Sequence, residues 1–552
     1  MIKQNVATVL NGIINKYLEL EGIIENVNFT IEVPPKNIDA DFATNAAMLI
    51  AKKIKRNPRV VAQEIIAIIS KTSQNIIEKT EIAGAGFINL HIKNDALSAE
   101  LKTILKEKNK YGSKAANDKE KILVEFVSAN PTGPLHIGHG RGAAIGDSIA
   151  RILKHLGYSV IKEYYLNDVG NQMLVLANSV ECRYRQLKGE KIDFPIDHYQ
   201  GEYIVDIAKR LISEGKKLEE IDFRKEAVKD ILKIIEEDLG DFEVEFDNWF
   251  SEGNIAVVKD KNGKTDVDKS CQYLLEKGDA YEKDDALWLA STKFGDDKDR
   301  VLKRSDGRYT YLASDVAYHK NKFERGFQKL IDLWGADHHG YVARIKACVQ
   351  MLGFSKEDLD IVLYQLVSLV RNGQPVAMST RSGEFVTLKS VLDEVGKDSC
   401  RFFFLLRAPD SQLEFDLELA KKQSSENPVF YVQYVNARCN SILKESRNRT
   451  DIVNDTEKIN FNLLTSKEER DLIKKLSAFY DTLILSEKTM SPHHFTLYLI
   501  ELADIYHRFY EKCKVLTDDA NLASSRLKLI EGVMVIIQTS LGLLGVSSPD
   551  KM

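Results

Sequence analysis

Apolar residues form two contrasting patterns in the first half of the chain. A nearly continuous apolar run from Lys121 to Val127 predicts a parallel β-strand that is covered on both faces. Pro131 and Pro134 exclude a helix directly after it. Beyond them we predict a helix that begins near His139. Its buried stripe at helical spacing is formed by Ile145, Ile149, Ile152, Leu153 and Leu156.

The same patterns divide the chain into four regions. Residues 1–112 mix helical patterns with short strands, and residues 113–370 alternate strands and helices as in a doubly wound parallel sheet of the Rossmann type. A polar, helix-rich stretch near 180–250 is interpreted as an insertion, and residues 371–424 form a connection. Residues 425–552 show helical spacing only. The predicted fold class is therefore α/β, with an α+β N-terminal domain and an all-α C-terminal bundle.

Composition restricts the possible classes of protein. The 552 residues are 44% hydrophobic and 29% charged, which is typical of a globular protein with several cores. The net charge of −5 means that any RNA must bind through local basic patches. Six widely spaced cysteines argue against a zinc site or disulfide framework and favour a reducing cytoplasm. We find no signal peptide, and the uncharged run Gly532 to Ser548 predicts a buried helix, because a membrane span needs ~20 apolar residues.

The loop between the predicted strand and helix carries two histidines. It reads Ser128-Ala-Asn-Pro-Thr-Gly-Pro-Leu-His136-Ile-Gly-His139. A helix that begins here directs free amides and a positive dipole end at an anion. Two imidazoles at that place can donate hydrogen bonds to charge that develops on a transferring phosphate. Alternatively, the histidines only cap the helix or bind a metal. The pattern alone predicts a nucleotide-binding α/β enzyme.

This loop resembles the His-Ile-Gly-His signature of class I aminoacyl-tRNA synthetases, and its first half resembles the arginyl branch of that family. The resemblance implies that His136 and His139 stabilise the α-phosphate and the leaving group. Gly335 and Asp337 follow an apolar run, where a strand end would face the nucleotide. The expected ATP-binding residues are Ala129, Asn130, Pro131, Thr132, Gly133, Pro134, Leu135, His136, Ile137, Gly138, His139, Gly335, Asp337 and Met378.

A second signature departs from the family pattern. Class I enzymes carry Lys-Met-Ser-Lys-Ser, whereas this chain has Ala377-Met-Ser-Thr-Arg381 and lacks both lysines. The segment Gly383 to Leu388 fits the arginyl version. The resemblance implies a loop that clamps the triphosphate, with Ser379 and Arg381 as catalytic residues and Arg371 as a second candidate for the missing charge. Without the family context, the stretch is simply a polar loop.

The expected amino-acid pocket suits a guanidinium group. This planar cation requires carboxylates at its edge and a ring or hydroxyl beside it. The resemblance assigns Glu252, Tyr311 and Asp315 to the guanidinium, and Asn130 and His338 to the α-ammonium group. Tyr311 and Asp315 are four residues apart and would share one helix face. The family often has glutamine in place of His338.

Both ends of the chain resemble tRNA-contacting domains of the same family. The phrase Asp39 to Asn45 resembles its extra N-terminal domain, which also holds a basic cluster here. Tyr431 to Arg438 resembles its anticodon-binding domain, and Asp398-Ser-Cys-Arg401 matches the Asp-Ala-Leu-Arg phrase of that domain at both charged ends. Taken alone, a basic cluster is usually only a solvated helix face, and an aromatic stripe usually belongs to a core helix. The expected tRNA-binding residues are Lys52, Lys53, Arg56, Tyr431, Tyr434, Tyr510 and Met552.

The resemblance implies a ligase that joins L-arginine to the 3′ end of tRNA-Arg through an arginyl-adenylate, with ATP giving AMP and pyrophosphate. Adenylate formation is expected to require bound tRNA. ATP would bring Mg²⁺, and we expect no resident metal or organic cofactor. The expected partners are tRNA-Arg, L-arginine and ATP, without a membrane, for a cytoplasmic monomer.

Two alternatives stay open at this point. One is a class I ligase for another amino acid, although the cysteine spacing speaks against cysteine and the acidic residues speak against glutamate. The other is a non-catalytic RNA-binding relative, which the missing signature lysines keep open.

Overall fold

The computed structural model describes residues 1–23, 26–35, 37–72, 76–376 and 386–552, and only the backbone of 117–119. The N-terminal part packs helices on a small sheet. Its elements are α1 (Ile2–Leu20), β1 (Ile31–Glu32), β2 (Phe42–Thr44), α2 (Ala46–Ile54), α3 (Pro58–Thr72), β3 (Ile77–Ala83), β4 (Phe87–Ile92) and α4 (Asn94–Glu107). The strands lie in the order β1-β2-β4-β3, with all neighbours antiparallel. The predicted α+β character is confirmed.

The central part begins with three parallel strands and their connecting helices. Its first elements are β5 (Asn117–Glu125), α5 (Ile137–His155), β6 (Tyr158–Leu166), α6 (Asn171–Leu187), α7 (Glu202–Ser213), α8 (Phe223–Asp241) and β7 (Asn248–Ser251). Helices α6, α7 and α8 contact one another and occupy the stretch predicted as an insertion.

The second half of the central part adds two more parallel strands. Its elements are α9 (Gly253–Ala256), α10 (Asp266–Lys277), β8 (Ala280–Lys283), β9 (Ala286–Leu289), β10 (Arg300–Lys303), α11 (Tyr311–Glu324), β11 (Lys329–Gly335), α12 (Val342–Met351) and β12 (Leu359–Tyr364). The short strands β8, β9 and β10 form a separate antiparallel sheet.

The main sheet has the order β12-β11-β5-β6-β7, and every neighbouring pair is parallel. The chain builds outward from β5 to β7 and then crosses to β11 and β12 on the other side. Such a reversal opens a crevice at the carboxyl ends of the two strands between which it occurs, here β5 and β11.

Side chains of β5 alternate between two cores. Ile122 and Val124 pack in the core that contains the apolar stripe of α5, whereas Leu123 packs in a second core with residues of α10, α11 and α12. Because both faces are covered, the strand needs no regular polar position, which explains its continuous apolar run. The predicted doubly wound sheet is confirmed.

The last part of the chain is helical. A connecting region holds β13 (Val367–Arg371), β14 (Gln374–Pro375), α13 (Leu388–Val395), α14 (Lys397–Phe404), β15 (Leu413–Asp416) and α15 (Leu417–Lys421). The C-terminal helices are α16 (Pro428–Ser446), α17 (Lys467–Ser477), α18 (Phe479–Thr489), α19 (His493–Lys512) and α20 (Ala520–Leu543). The predicted uncharged helix forms the second half of α20. In the described part of the chain, no helix combines the length and apolar character that crossing a membrane requires.

Candidate active site

The loop after β5 leaves the strand through two residues in an unfavourable backbone conformation. Val127 has φ +65° and Ser128 has φ +41°, a region that a β-branched residue such as valine rarely adopts. The Ser128 hydroxyl donates to Glu125 Oε1 (2.9 Å) and accepts from the backbone N–H of Tyr165 (3.1 Å). These bonds hold the turn at the carboxyl edge of the sheet, beside the crevice.

The proline-containing half of the loop is tied to its surroundings by tyrosine hydroxyls. Tyr164 donates to the carbonyl of Ala129 (2.9 Å), and Tyr203 of α7 donates to the carbonyl of Thr132 (2.7 Å). Asn130, expected to bind both ATP and arginine, donates to Gln172 Oε1 (2.8 Å). The loop is therefore fixed by β6, α6 and α7. Its remaining members are Pro131, Gly133, Pro134 and the buried Leu135.

The two histidines are held by the backbone of their own helix. His136 is the N-cap of α5, so the helix begins two residues earlier than predicted. Its Nδ1 accepts from the backbone N–H groups of Gly138 (3.1 Å) and His139 (3.3 Å). His139 Nδ1 accepts in return from the backbone N–H of His136 (3.3 Å), and the ring centroids are 3.6 Å apart.

This cap determines which nitrogen carries the proton. A neutral imidazole has one donor and one acceptor nitrogen. Because both Nδ1 atoms accept, both Nε2 atoms carry hydrogen and are the donors available to a ligand. The capping role that the sequence left open is present, and it prepares the two donors rather than competing with them.

Burial lowers the pKa of both imidazoles. The pKa of His139 falls to about 3, with the neighbouring His136 adding to the effect of burial. We expect the His139 imidazole to stay neutral between about pH 8 and pH 5, whereas in the unfolded chain its pKa is about 6.5. The folded state then binds fewer protons in this window, so this group lowers the free energy of unfolding as pH falls from about 6.5 towards 3.

An NMR titration of the imidazole Cε1–H resonances measures the pKa of His139 in the folded protein. The resonance that is missing from the spectrum of the His139→Gln variant is the one that belongs to His139. A midpoint near pH 6.5 for His139 in the folded protein would contradict the expected neutral pair.

Two glycines of α5 are required by close packing. A Cβ atom at Gly138 would lie 2.9 Å from Cε1 of the His136 ring. At Gly146 it would lie 2.3 Å from the Phe126 ring. The first glycine leaves room for the capping histidine, and the second lets the helix approach the end of β5. Both glycines thus make room for side chains of the protein itself.

The second signature lies outside the described residues, and so do Met378, Ser379 and Arg381. The chain resumes beside the histidines, where the Leu388 N–H donates to the Leu135 carbonyl (2.8 Å) and Thr387 pairs with His136 in a β-bridge. Arg371, the second candidate for the missing charge, pairs with Glu394 (2.7 Å) on α13.

The end of β11 lies across the crevice from the histidine loop. Gly335 is the last residue of β11, and a Cβ there would lie 2.4 Å from Asp337 Oδ1. The side chains of Asp337 and His338 are both largely exposed and lie 3.5 Å apart. The structure thus places the predicted nucleotide-facing residues at the carboxyl edge of the sheet.

Glu252 lies in the turn after β7 and is buried. Burial raises the pKa of its carboxyl, and the negative charges of Asp315 and Asp168 raise it further, although donors at Ser314 and Tyr165 act in the opposite direction. The amide of Asn167 can also donate to Glu252 Oε2, at 3.0 Å, when its nitrogen faces the carboxylate.

Asp315 lies one turn into α11. Its Oδ2 accepts from the Tyr341 hydroxyl (2.5 Å). Burial raises its pKa, while the Tyr341 hydrogen bond and the charges of His319 and Lys322 oppose the rise. Tyr311 begins the same helix, four residues earlier, and is 74% exposed. The predicted helical pair is therefore present, with an exposed aromatic ring one turn before a half-buried carboxylate.

Neither carboxylate has a cationic partner in the described part of the chain: no ion pair within 4 Å includes Glu252 or Asp315. Placing a buried and a half-buried carboxylate close together is unfavourable unless a cation joins them. Tyr165 lies between the histidine loop and this pair. Its backbone N–H donates to the Ser128 hydroxyl (3.1 Å), and burial together with the negative charges of Glu252 and Asp315 raises the pKa of its own hydroxyl. The arrangement suits a cationic ligand beside a phosphate-binding loop.

Below the pocket, charged residues that the sequence analysis missed form a buried network. Lys322 of α11 is completely buried and pairs with Asp332 (2.8 Å) and Glu125 (2.5 Å). On the neighbouring strand, Glu163 accepts two bonds from Arg325 (2.5 and 2.8 Å). This network fixes α11 against the sheet and so positions Asp315. Spacing gave no signal for it, although charged residues inside otherwise apolar strands were visible in the sequence.

The expected tRNA contacts lie in the chain's two end regions. Lys52 and Lys53 are exposed in the last turn of α2, whereas Arg56 pairs with Glu64 (2.5 Å) and Glu21 (3.1 Å). The structure therefore favours Lys52 over Arg56 as an available charge.

The C-terminal aromatic residues lie between α16 and α19. Tyr431 donates to Asp504 (2.9 Å), and Tyr434 is 41% exposed with its ring facing His507. The guanidinium of Arg438 lies 4.8 Å from the ring centroid of Tyr510. Met552 is exposed in the segment that follows α20. These rings present a partly open aromatic face rather than a closed core.

Comparison with known proteins covers the whole length of the chain. Three family models match it in order: the arginyl tRNA synthetase N-terminal domain at residues 1–92, the catalytic domain of class I tRNA synthetases (R) at 100–404, and the DALR anticodon binding domain at 432–552.

Relatives and solved structures agree with these models. The arginine–tRNA ligase of Syntrophotalea carbinolica is 46% identical over 100% of this chain and 99% of its own, and that of Desulfosudis oleivorans is 48% identical over 95% and 94%. The structure of Thermus thermophilus arginyl-tRNA synthetase has a TM-score of 0.75 at 21% identity, with 99% of this chain and 100% of that chain covered. These matches over the full length of the chain agree with its histidine pair and acidic pocket. The chain therefore belongs to the arginyl-tRNA synthetases of class I.

Proposed function

We propose that this chain charges tRNA-Arg with L-arginine in two steps. An arginine carboxylate oxygen attacks the α-phosphorus of ATP, the bond to the β-phosphate breaks, and pyrophosphate leaves. A terminal ribose hydroxyl of tRNA then attacks the carbonyl carbon of arginyl-adenylate, and AMP leaves. The observation that carries the proposal is the pair of carboxylates, buried Glu252 and half-buried Asp315, beside a loop that offers two neutral imidazole donors.

In this proposal the histidines act on the phosphate. The Nε2–H groups of His136 and His139 donate to the α-phosphate oxygens, where charge grows as the bond to pyrophosphate breaks. Donors that are fixed before the reaction need no reorganisation during it, so they stabilise the transition state more than the ground state. The N-terminus of α5 adds the positive end of its dipole, while its first N–H groups are already bonded to His136 Nδ1 and to the Val386 carbonyl.

The pocket residues would hold the amino acid. Glu252 and Asp315 would bind the guanidinium, with Tyr311 closing over it, and Asn130 and His338 would bind the α-ammonium group. A guanidinium donates along two edges and so satisfies two acceptors that a single ammonium cannot. We propose that ATP enters with Mg²⁺ as part of the substrate, facing Gly335 and Asp337.

We also propose which parts of the chain contact tRNA. The N-terminal part would contact tRNA through Lys52, Lys53 and Arg56. The C-terminal helices would bind anticodon bases through Tyr431, Tyr434 and Tyr510 near Met552, since unstacked bases stack on aromatic side chains. A cytoplasmic monomer remains our expectation.

Charging of total tRNA with radiolabelled arginine tests the proposed function. We expect acid-precipitable label that depends on ATP and is absent with lysine, because lysine would leave one buried carboxylate unpaired. A protein that retains tRNA on a filter but transfers no label would instead be the non-catalytic RNA-binding relative.

The signature loop yields a prediction of its own. Arg381→Ala should slow adenylate formation roughly tenfold or more while leaving arginine binding nearly unchanged, because the charge acts on the triphosphate. Single-turnover adenylate formation and arginine titration measure the two effects. Arg371→Ala is the matched control, since the Arg371 side chain already pairs with Glu394. Equal loss in both variants, or none in Arg381→Ala, would contradict the assignment.

A further inference from the structure

Arg401 is an arginine that is completely buried where three parts of the chain meet. From α14, its Nη2 donates to Asp147 Oδ2 of α5 (2.6 Å). Its Nε donates to the carbonyl of Leu544 at the end of α20 (2.7 Å), and its Nη1 to the carbonyl of Phe242 at the end of α8 (3.0 Å). One guanidinium thus joins the histidine helix to a C-terminal helix and to an inserted helix.

A second guanidinium repeats the same connection. Arg151 of α5 donates to Asp147 Oδ2 (2.7 Å), to the carbonyl of Gly542 (3.3 Å) and to the carbonyl of Glu243 (3.2 Å). Burial alone would raise the pKa of Asp147, but the charges of Arg401, Arg151 and Lys162 outweigh it and lower the pKa to about 2. Asp147 therefore stays ionised and holds both arginines.

The end of α20 is built to receive these donors. The last carbonyls of a helix have no partner within it, and cations at this end also complement the helix dipole. Gly545 follows directly with φ +67°, and a Cβ there would lie 2.3 Å from the Arg401 guanidinium. Both the backbone conformation and the lack of space thus require glycine.

The neighbouring acid of α14 fastens the next residues. Asp398 accepts from the N–H of Ser547 (3.0 Å) and from the amide of Gln433 on α16 (2.8 Å). Asp398 and Arg401, the charged ends of the Asp-Ser-Cys-Arg phrase, thus both bind the short segment 544–547 at the end of α20. That segment adjoins the helix that carries Tyr434.

At the other end of this connection lie the histidines. Asp147 follows His139 by eight residues on α5, which corresponds to about 12 Å along the helix axis. A helix transmits displacement along its axis with little loss, so a shift at Asp147 moves both Nε2 donors relative to the crevice. Misplacement of about 1 Å can cost a rate factor of about 10².

We propose that Arg401 and Arg151 are positioning residues that hold the histidine helix in register with the C-terminal helices through Asp147. This inference rests on the proposed function and adds positioning residues to the same site.

Arg151→Met is the decisive variant, because the Arg151 side chain is 35% exposed and its loss leaves Arg401 and Lys162 on Asp147. With saturating tRNA, we expect the kcat of ATP–pyrophosphate exchange to fall roughly tenfold, with the KM for arginine and the Kd for tRNA within about twofold of the unsubstituted protein. Arg401→Lys should act in the same way, since one ammonium cannot reach Asp147 and both carbonyls.

Arg185→Met is the matched control. Arg185 pairs with Glu181 at 2.7 Å, is 36% exposed, and also makes an i, i+4 contact on a helix. We expect its kcat to be unchanged.

The outcomes separate the two proposals. An unchanged kcat in either folded variant, Arg151→Met or Arg401→Lys, would overturn the inference, even if the melting temperature falls, because the contact would then be only structural. A lower kcat accompanied by an equal loss of tRNA affinity would also overturn it. If the unsubstituted protein charges no tRNA, the proposed function fails first and the inference loses its basis.

Discussion

Replacing His139 by glutamine should lower the kcat of adenylate formation by about 10²- to 10³-fold, the range for loss of one fixed donor to developing charge. Glutamine at the third position of a helix can still accept from the N-cap backbone, as in a capping box, so the start of α5 should persist. What disappears is the Nε2–H donor that the cap directs outward. KM values for arginine and ATP should change little, because the missing interaction strengthens only in the transition state.

The measurement is ATP–pyrophosphate exchange with saturating tRNA. His155→Gln is the matched control: it lies at the far end of the same helix, and its Nε2 contacts the carbonyl of Tyr111 (3.0 Å). A kcat within threefold of the unsubstituted protein for His139→Gln would remove the proposed role of this histidine.

Asp315→Asn should raise the KM for arginine far more than the KM for ATP. The substitution removes the charge but keeps an oxygen that can accept from Tyr341, so the local fold should survive. A charge-assisted hydrogen bond contributes about 1.5 to 3 kcal/mol, which corresponds to a roughly 10- to 150-fold rise in KM. Steady-state charging with each substrate varied in turn measures the two constants.

Asp238→Asn provides the control for substituting a buried carboxyl. Asp238 lies on α8, and burial raises its pKa to about 6, yet it is no part of the pocket. We expect its arginine KM to be unchanged. If Asp315→Asn raised the KM values for arginine and ATP equally, Asp315 would have a structural role and would not bind the guanidinium group.

Family membership decides the first of the two alternatives that the sequence analysis left open, which is a class I ligase for another amino acid. The chain is an arginyl enzyme of class I rather than a cysteine or glutamate one, as the full-length relatives show. The roles of individual residues remain predictions, and the variants above address them one by one. The signature loop around Arg381 lies outside the described residues, so its charge is tested by substitution alone.

Local patterns in the chain were sufficient for the fold class, the strand–loop–helix unit around His136 and His139, and the helical C-terminal part. These features depend on neighbours a few residues apart: continuous apolar residues form a strand buried on both faces, and a spacing of three or four forms one helix face. The start of α5 was misplaced by two residues because a histidine cap has no common sequence signal.

The tertiary structure alone decided which distant residues meet. Glu252 and Asp315 come together without a cation within 4 Å because the turn after β7 leads into α9, which packs against α11, and spacing along the chain carries no trace of that. The sequence also contains no indication that Lys322 lies between Asp332 and Glu125. The phrase Asp398-Ser-Cys-Arg401 was recognisable in the sequence, but the partners of Arg401, Asp147 and Leu544, were not. Electrostatic contacts act over a few ångströms in space, so only the folded chain fixes which charges are paired and which two carboxylates are left for a ligand.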